Sequence, residues 1–180
     1  EYVSNNEINI ADVCCGSGGF SEGMKLAAKS LGISVRNKFA IDLLKSNLDV
    51  FDLNHFPEKI FNEDIRNLIE LDFDKIFLFK NQQLSTFLRN DIKSFKNKID
   101  IFLAGPPCEG NSKYNNKTRG FDIRNELYVY AVLIAIALKS KVIIIENVPM
   151  VVNAKQNVVD RSLSYLKHFG YKVTKSTKIF

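Results

Sequence analysis

The chain has 180 residues, 46% of them hydrophobic, with 25 basic and 20 acidic side chains for a formal net charge of +5. That length suits one domain and that apolar fraction supplies a core, which excludes wholesale disorder. No stretch approaches the roughly 20 apolar residues of a membrane span, and three cysteines, two of them adjacent (Cys14, Cys15), exclude a disulfide framework. The opening Glu1-Tyr2-Val3-Ser4-Asn5 lacks the layout of a signal peptide, so the expected setting is reducing and intracellular, cytoplasmic in a prokaryote or nuclear in a eukaryote. A pI near 9.0 permits an anionic partner without demanding one. From Glu146 onward, six Lys or Arg stand against Glu146 and Asp160, a surplus that serves equally as a solvated face.

In chain order, Ile8 to Cys14 reads as a strand ended by Gly16, Gly18 and Gly19, and Ser21 to Leu31 has a helical apolar rhythm stopped by Gly32. Val35 to Ile41 is a second strand with Asp42 at its end, Lys45 to Asn54 a helix, and Lys59 to Phe61 a short third strand closing on Asp64. Gln82 to Phe95 is expected to be helical, from Leu84, Phe87, Leu88 and Ile92. Ile99 to Ala104 is a buried fourth strand running into Gly105-Pro106-Pro107, followed by a polar loop from Cys108 to about Gly120. An apolar helix over Leu127 to Leu138, a fifth strand over Val142 to Val148, a helix over Val158 to Phe169 and a strand-like Tyr171 to Thr174 complete the pattern. Alternating strands and helices, with strands apolar on both faces, predict an α/β doubly wound, mostly parallel sheet. In that architecture ligands bind beyond the carboxyl ends of the strands, where the glycine turn, Asp42, Asp64, Pro-Pro-Cys and Glu146 all fall.

The turn Cys15-Gly16-Ser17-Gly18-Gly19 lets backbone approach a nucleotide-like ligand, although Ser21 stands where a dinucleotide fingerprint wants a third glycine. Asp42 is placed to accept from ribose hydroxyls, and reads equally as a helix cap. Asp64 is either an acceptor for an adenine amine or the N-cap of a helix starting at Ile65. Cys14 reads as core and Cys15 as the opening of the turn. Cys108, directly after two prolines at a strand tip, is a thiol held on rigid backbone, and nucleophilic catalysis is the sharper explanation of it. Glu146 ends the apolar run Ile143-Ile144-Ile145, where an unpaired charge is expensive, so its carboxyl is expected to be protonated or paired, or to face the ligand cleft.

Asp12-Val13-Cys14-Cys15-Gly16-Ser17-Gly18-Gly19-Phe20-Ser21, Pro106-Pro107-Cys108-Glu109-Gly110-Asn111-Ser112, Asp122-Ile123-Arg124-Asn125-Glu126-Leu127 and Glu146-Asn147-Val148 stand in this order, and together the chain resembles the DNA (cytosine-5) methyltransferases. The resemblance runs from about Ile8 to the end, and Pro-Pro-Cys followed by Glu-Asn-Val is its most specific part. It implies a Rossmann-like S-adenosylmethionine-dependent methyltransferase fold, with residues 1–180 forming a partial catalytic and cofactor-binding domain. It implies Cys108 and Glu146 as catalytic residues, and Cys14, Gly16, Gly18, Gly19, Asp42, Leu43, Asp64, Ile65, Pro107 and Leu127 around S-adenosyl-L-methionine. Ser112, with Lys113 beside it, and Asn147 would contact substrate, and no metal is called for. The partner implied is double-stranded DNA, with target recognition carried by a further C-terminal region or a second subunit, and no membrane. The sequence departs from the family where Cys14 replaces a common Phe, Leu43 a common aromatic, and Glu109 and Asn111 a common Gln and aromatic. Other readings weighed are an RNA cytosine-5 methyltransferase, a nicotinamide-dependent oxidoreductase, and a non-catalytic subunit that keeps the fold.

Overall fold

A computed structural model describes residues 6–80, 83–107, 126–147 and 157–174. Among these, five strands form one all-parallel sheet: β1 (Glu7–Val13), β2 (Ser34–Asp42), β3 (Ile60–Asn62), β4 (Ile101–Ala104) and β5 (Val142–Ile145), in the order β3-β2-β1-β4-β5. The expected α/β sheet is present. Its order reverses between β1 and β4, which opens a crevice at their carboxyl ends. Helices α1 (Gly19–Ser30) and α2 (Lys45–His55) make the crossovers on the β2–β3 side, and α4 (Glu126–Ala137) joins β4 to β5. A four-residue α3 (Asn90–Lys93) precedes β4, and α5 (Val158–His168) packs on α4.

Side-chain alternation along β2 explains why two layers are needed. Phe39 and Ile41 point into the larger core with Val129, Leu133 and Phe102, whereas Ala40 packs with Leu48, Phe51 and Cys15 in a smaller cluster on the opposite face. Within the run Val129 to Leu138 every residue but the half-buried Tyr130 is buried. Each such Leu, Ile or Val removed from water contributes about 1.5–3 kcal/mol, and this burial holds α4 against the sheet. A bulge in the β1–β2 pairing, between Ile10 and Ala11, sets the register: Ile10 faces Asn37 and Ala11 faces Phe39.

The structure corrects two expectations. Gln82 to Phe95 is not one helix, and of it Gln82 lies outside the described residues; a 3-10 turn over Leu84–Phe87 is followed by Leu88, which pairs antiparallel with Ile69, and only then by α3. The apolar spacing is satisfied because Leu84, Leu88 and Ile92 are all buried, and it is met by a broken chain as well as by a helix. Tyr171 to Thr174 forms no strand; the Tyr171 hydroxyl instead donates to the Ser140 carbonyl at 2.7 Å and ties the segment beneath the sheet. No helix among the described residues is long and apolar enough to cross a membrane.

Candidate active site

The chain leaves β1 by a left-handed residue, Cys14 (φ 52°), and continues through Gly16 (φ 53°) and Gly18 (φ 98°) into α1. Cys14 is half-buried against the main core, and Cys15 opens the turn, its carbonyl accepting the Gly18 N–H at 3.0 Å, while its own side chain is buried in the smaller cluster. With Cys14 in the left-handed region, the tight turn carries Cys15 to the α2 side of the sheet. There the Cys15 N–H donates to the Ile41 carbonyl at 3.1 Å. A Cβ at Gly16 or Gly19 would meet nothing within 4 Å, so the outer side of the turn is open space.

Asp42 closes over this turn. Its Oδ2 accepts the Gly16 N–H at 2.9 Å, while Oδ1 accepts the Leu44 N–H at 2.9 Å and Asn47 Nδ2 at 3.2 Å. A carboxylate has roughly four acceptor positions, so about one remains for a ligand. Both sequence readings of Asp42 therefore hold in part: it orders the entry to α2 and stands at the crevice. Leu43, beside it, is 67% exposed.

Asp64 caps the 3-10 turn Ile65–Leu68, accepting the Arg66 N–H at 2.9 Å, as the capping reading predicts, and Arg66 also grips it through its side chain. The Arg66 guanidinium beside Asp64 holds that carboxyl below its ordinary value. Ile65 is buried in the main core and Leu127 is half-buried against it.

At β4, Pro106 is buried and Pro107 half-buried. The Glu146 N–H donates to the Ala104 carbonyl at 3.0 Å, and Asn147 Nδ2 donates to the Pro106 carbonyl at 3.1 Å. The parallel register Ala104 opposite Ile145 thus brings Glu146-Asn147 alongside Gly105-Pro106. Glu146 lies just past the end of β5 and is exposed, in keeping with the cleft-facing alternative. Cys108, Ser112 and Lys113 lie outside the described residues.

Electrostatics characterise the crevice further. Burial pushes the Cys14 thiol up to about 12, and the nearby carboxylates of Asp42, Asp64 and Asp12 add to the effect. A thiolate at this point would be disfavoured by the same negative field that would favour a cation.

Sequence reasoning overlooked a buried polar strut beneath the turn. Asp12, Ser21, Asn37 and His55 are all at most 5% exposed. Ser21 Oγ donates to Asp12 Oδ2 at 2.7 Å, and Asn37 Nδ2 donates to the His55 carbonyl at 3.1 Å. Asp12 Oδ1 has no hydrogen-bond partner among the described residues, and burial raises this carboxyl to about 7. The signal was available: a carboxylate inside Ile10-Ala11-Asp12-Val13 must find partners or lose its charge.

Residues 8–179 match the family of C-5 cytosine-specific DNA methylases. Type II methyltransferase M1.BsuMI of Bacillus subtilis (strain 168) is 34% identical over 169 residues, covering 94% of this chain and 38% of that protein. DNA (cytosine-5)-methyltransferase 1 of Gallus gallus is 27% identical over 172 residues, covering 93% of this chain and 10% of that protein. A solved prophage-encoded E. coli chain assigned as a DNA modification methyltransferase shares the fold, with a TM-score of 0.56 at 22% identity, over 89% of this chain and 38% of that one. The chain therefore spans well under half the length of the relatives it matches. With the match running nearly end to end, on a parallel sheet whose β4 and β5 tips carry Pro-Pro and Glu-Asn, the chain belongs to the C-5 cytosine-specific DNA methylase family.

Proposed function

We propose that this chain is the cofactor-binding and catalytic part of an enzyme that methylates carbon-5 of cytosine in DNA. The observation that carries this reading is the Asn147–Pro106 hydrogen bond of 3.1 Å. It ties the segment bearing Glu146 to Pro106 at the end of β4, the segment that precedes Cys108 in the sequence, which supports a shared site for the two groups. The alternative of a nicotinamide-dependent oxidoreductase has no such support, since the family match points elsewhere.

The crevice suits S-adenosylmethionine on three counts. The turn has open space at Gly16 and Gly19, Leu43 offers an exposed apolar surface, and the field felt by Cys14 is negative, complementary to a sulfonium and an ammonium group. Gly16, Gly18, Gly19, Asp42, Leu43, Asp64, Ile65, Pro107 and Leu127, with Cys14 at the strand end, would hold it. When bound, the cofactor supplies an electrophilic methyl group.

A stacked base hides its ring atoms, so the target cytosine would be flipped into the crevice. The Cys108 thiolate would attack carbon-6, forming an S–C bond and moving the π electrons toward carbon-5. Glu146 would steady the ring by hydrogen bonding to N3 and the exocyclic amine, which is the step that spreads the developing charge. Carbon-5 would then take the methyl group, leaving S-adenosylhomocysteine as the thioether, and loss of the carbon-5 proton to a water molecule with breakage of the S–C bond would restore the ring and release the Cys108 thiolate. Ser112 and Asn147 would position the base and its strand. The test is mass spectrometry after incubation with S-adenosylmethionine and a duplex containing 5-fluorocytosine, whose fluorine blocks the final elimination. A covalent adduct on Cys108 is expected, using the whole protein that carries this chain. Its absence, with cofactor binding intact, would refute the nucleophile assignment.

A further inference from the structure

Asp64 and Arg66 form a closed device at the end of β3. The Asp64 Oδ1 atom accepts two hydrogen bonds, from the Arg66 backbone N–H and from Arg66 Nε, both at 2.9 Å. Its Oδ2 accepts one, from Arg66 Nη2 at 2.7 Å. With roughly four acceptor positions on a carboxylate, this leaves about one, on Oδ2. The neighbouring Glu63 is gripped separately, by Arg89 Nη1 and Nη2 at 2.6 Å each, so the two arginines do not compete for one acid. The Asp64 side chain retains 21% exposure, and its charge is felt at Cys14, across the end of the sheet. The unused acceptor therefore belongs to a carboxylate at the crevice, locked in rotation by a planar two-point fork.

An ion pair between residues two apart on a half-exposed turn contributes little to stability. Capping the turn needs only the backbone N–H. The second and third hydrogen bonds do something a cap does not require: they choose which way the last acceptor points.

We propose that Arg66 is a positioning residue that aims Asp64 Oδ2 at the 6-amino group of the cofactor's purine, and so makes the site prefer adenosyl over inosyl ligands. This rests on the cofactor reading given above. An inosyl ligand carries an oxygen at that position, which meets a carboxylate acceptor with no proton to offer. Rotation of Asp64 after loss of the fork would spread the acceptor over several directions and blunt the distinction.

Calorimetric titration of S-adenosylhomocysteine and S-inosylhomocysteine into the native chain, Arg66→Met and Arg66→Lys tests this. The native chain is expected to favour the adenosyl ligand by about tenfold or more, the scale of one hydrogen bond to a charged group. Arg66→Met narrows the preference to less than about threefold by weakening the adenosyl ligand, with the inosyl ligand changed by no more than about twofold. Arg66→Lys, a point charge without the fork, falls between the two. A native preference that survives unchanged in Arg66→Met overturns the role of Arg66 and leaves that of Asp64 standing. Equal weakening of both ligands in both variants also overturns it, since that is the mark of a merely structural residue. A native chain that fails to discriminate, or that binds neither ligand, removes the cofactor reading of Asp64 and the proposal with it.

Discussion

Gly18 carries the most demanding geometry of the turn, and replacing it with alanine has two separable costs. At φ +98° an L-residue is strained wherever it is placed, by about 1–2 kcal/mol. The added Cβ would also overlap the His55 imidazole at Nε2 and Cδ2, and approach Phe51 Cδ2 to 3.0 Å. That ring has little freedom to retreat. His55 is 5% exposed and its ring packs at a tilt against Phe51 with centroids 4.6 Å apart, and the backbone carbonyl of His55 is held by Asn37. Overpacking of this kind costs about 1–3 kcal/mol, so Gly18→Ala should destabilise the chain by about 2–5 kcal/mol in total. Urea denaturation of the native chain, Gly18→Ala, His55→Ala and the double variant separates the two parts. His55→Ala removes the obstacle but not the dihedral strain. The double variant should then be about 1–3 kcal/mol more stable than the sum of the single changes predicts. Strict additivity, or a Gly18→Ala loss below about 0.5 kcal/mol, would refute the claim that His55 fills the space beneath this glycine.

Asp12 governs a pH dependence. Its carboxyl ionises at about 7 when folded against 3.8 in the unfolded reference, so it is protonated in both states below about pH 4. As pH rises from about 4 to 7 the unfolded state loses the proton first, and stability falls, by about 4 kcal/mol at most. Asp12→Asn should flatten this part of the stability–pH curve in thermal melts at constant ionic strength, and an unchanged slope would contradict the assignment. Glu146→Gln should lower methyl transfer by roughly 10²–10⁴-fold, the scale of one positioned acid–base group, measured by incorporation of labelled methyl into duplex DNA. A loss of only severalfold would return Glu146 to a structural role. Cys108→Ser should abolish turnover while S-adenosylmethionine still shifts the melting temperature; unchanged methyl transfer would remove the nucleophile.

Much of this protein was legible in its residue order because the deciding forces are local. The five strands announce themselves as apolar runs, the glycines after β1 mark a turn that needs left-handed backbone, and Asp42 and Asp64 stand at strand ends, where their short carboxylates cap the following turns. Pro-Pro-Cys and Glu-Asn-Val were recognisable as a pair although 38 residues lie between Pro107 and Glu146. What tertiary structure decided were the matters of partnership. Leu84, Leu88 and Ile92 are buried by a broken chain as readily as by a helix, because burial rewards the position of an apolar group and not the path that delivers it. Which of Cys14 and Cys15 lies inside depends on one left-handed residue that no periodicity encodes. The Ser21 hydroxyl that meets Asp12, the imidazole beneath Gly18 and the guanidinium that turns Asp64 are contacts of side chains whose identities could be read beforehand, but whose meetings are set by how the sheet twists and the helices dock. Periodicity belongs to a segment, whereas the satisfaction of a buried charge belongs to the assembled fold.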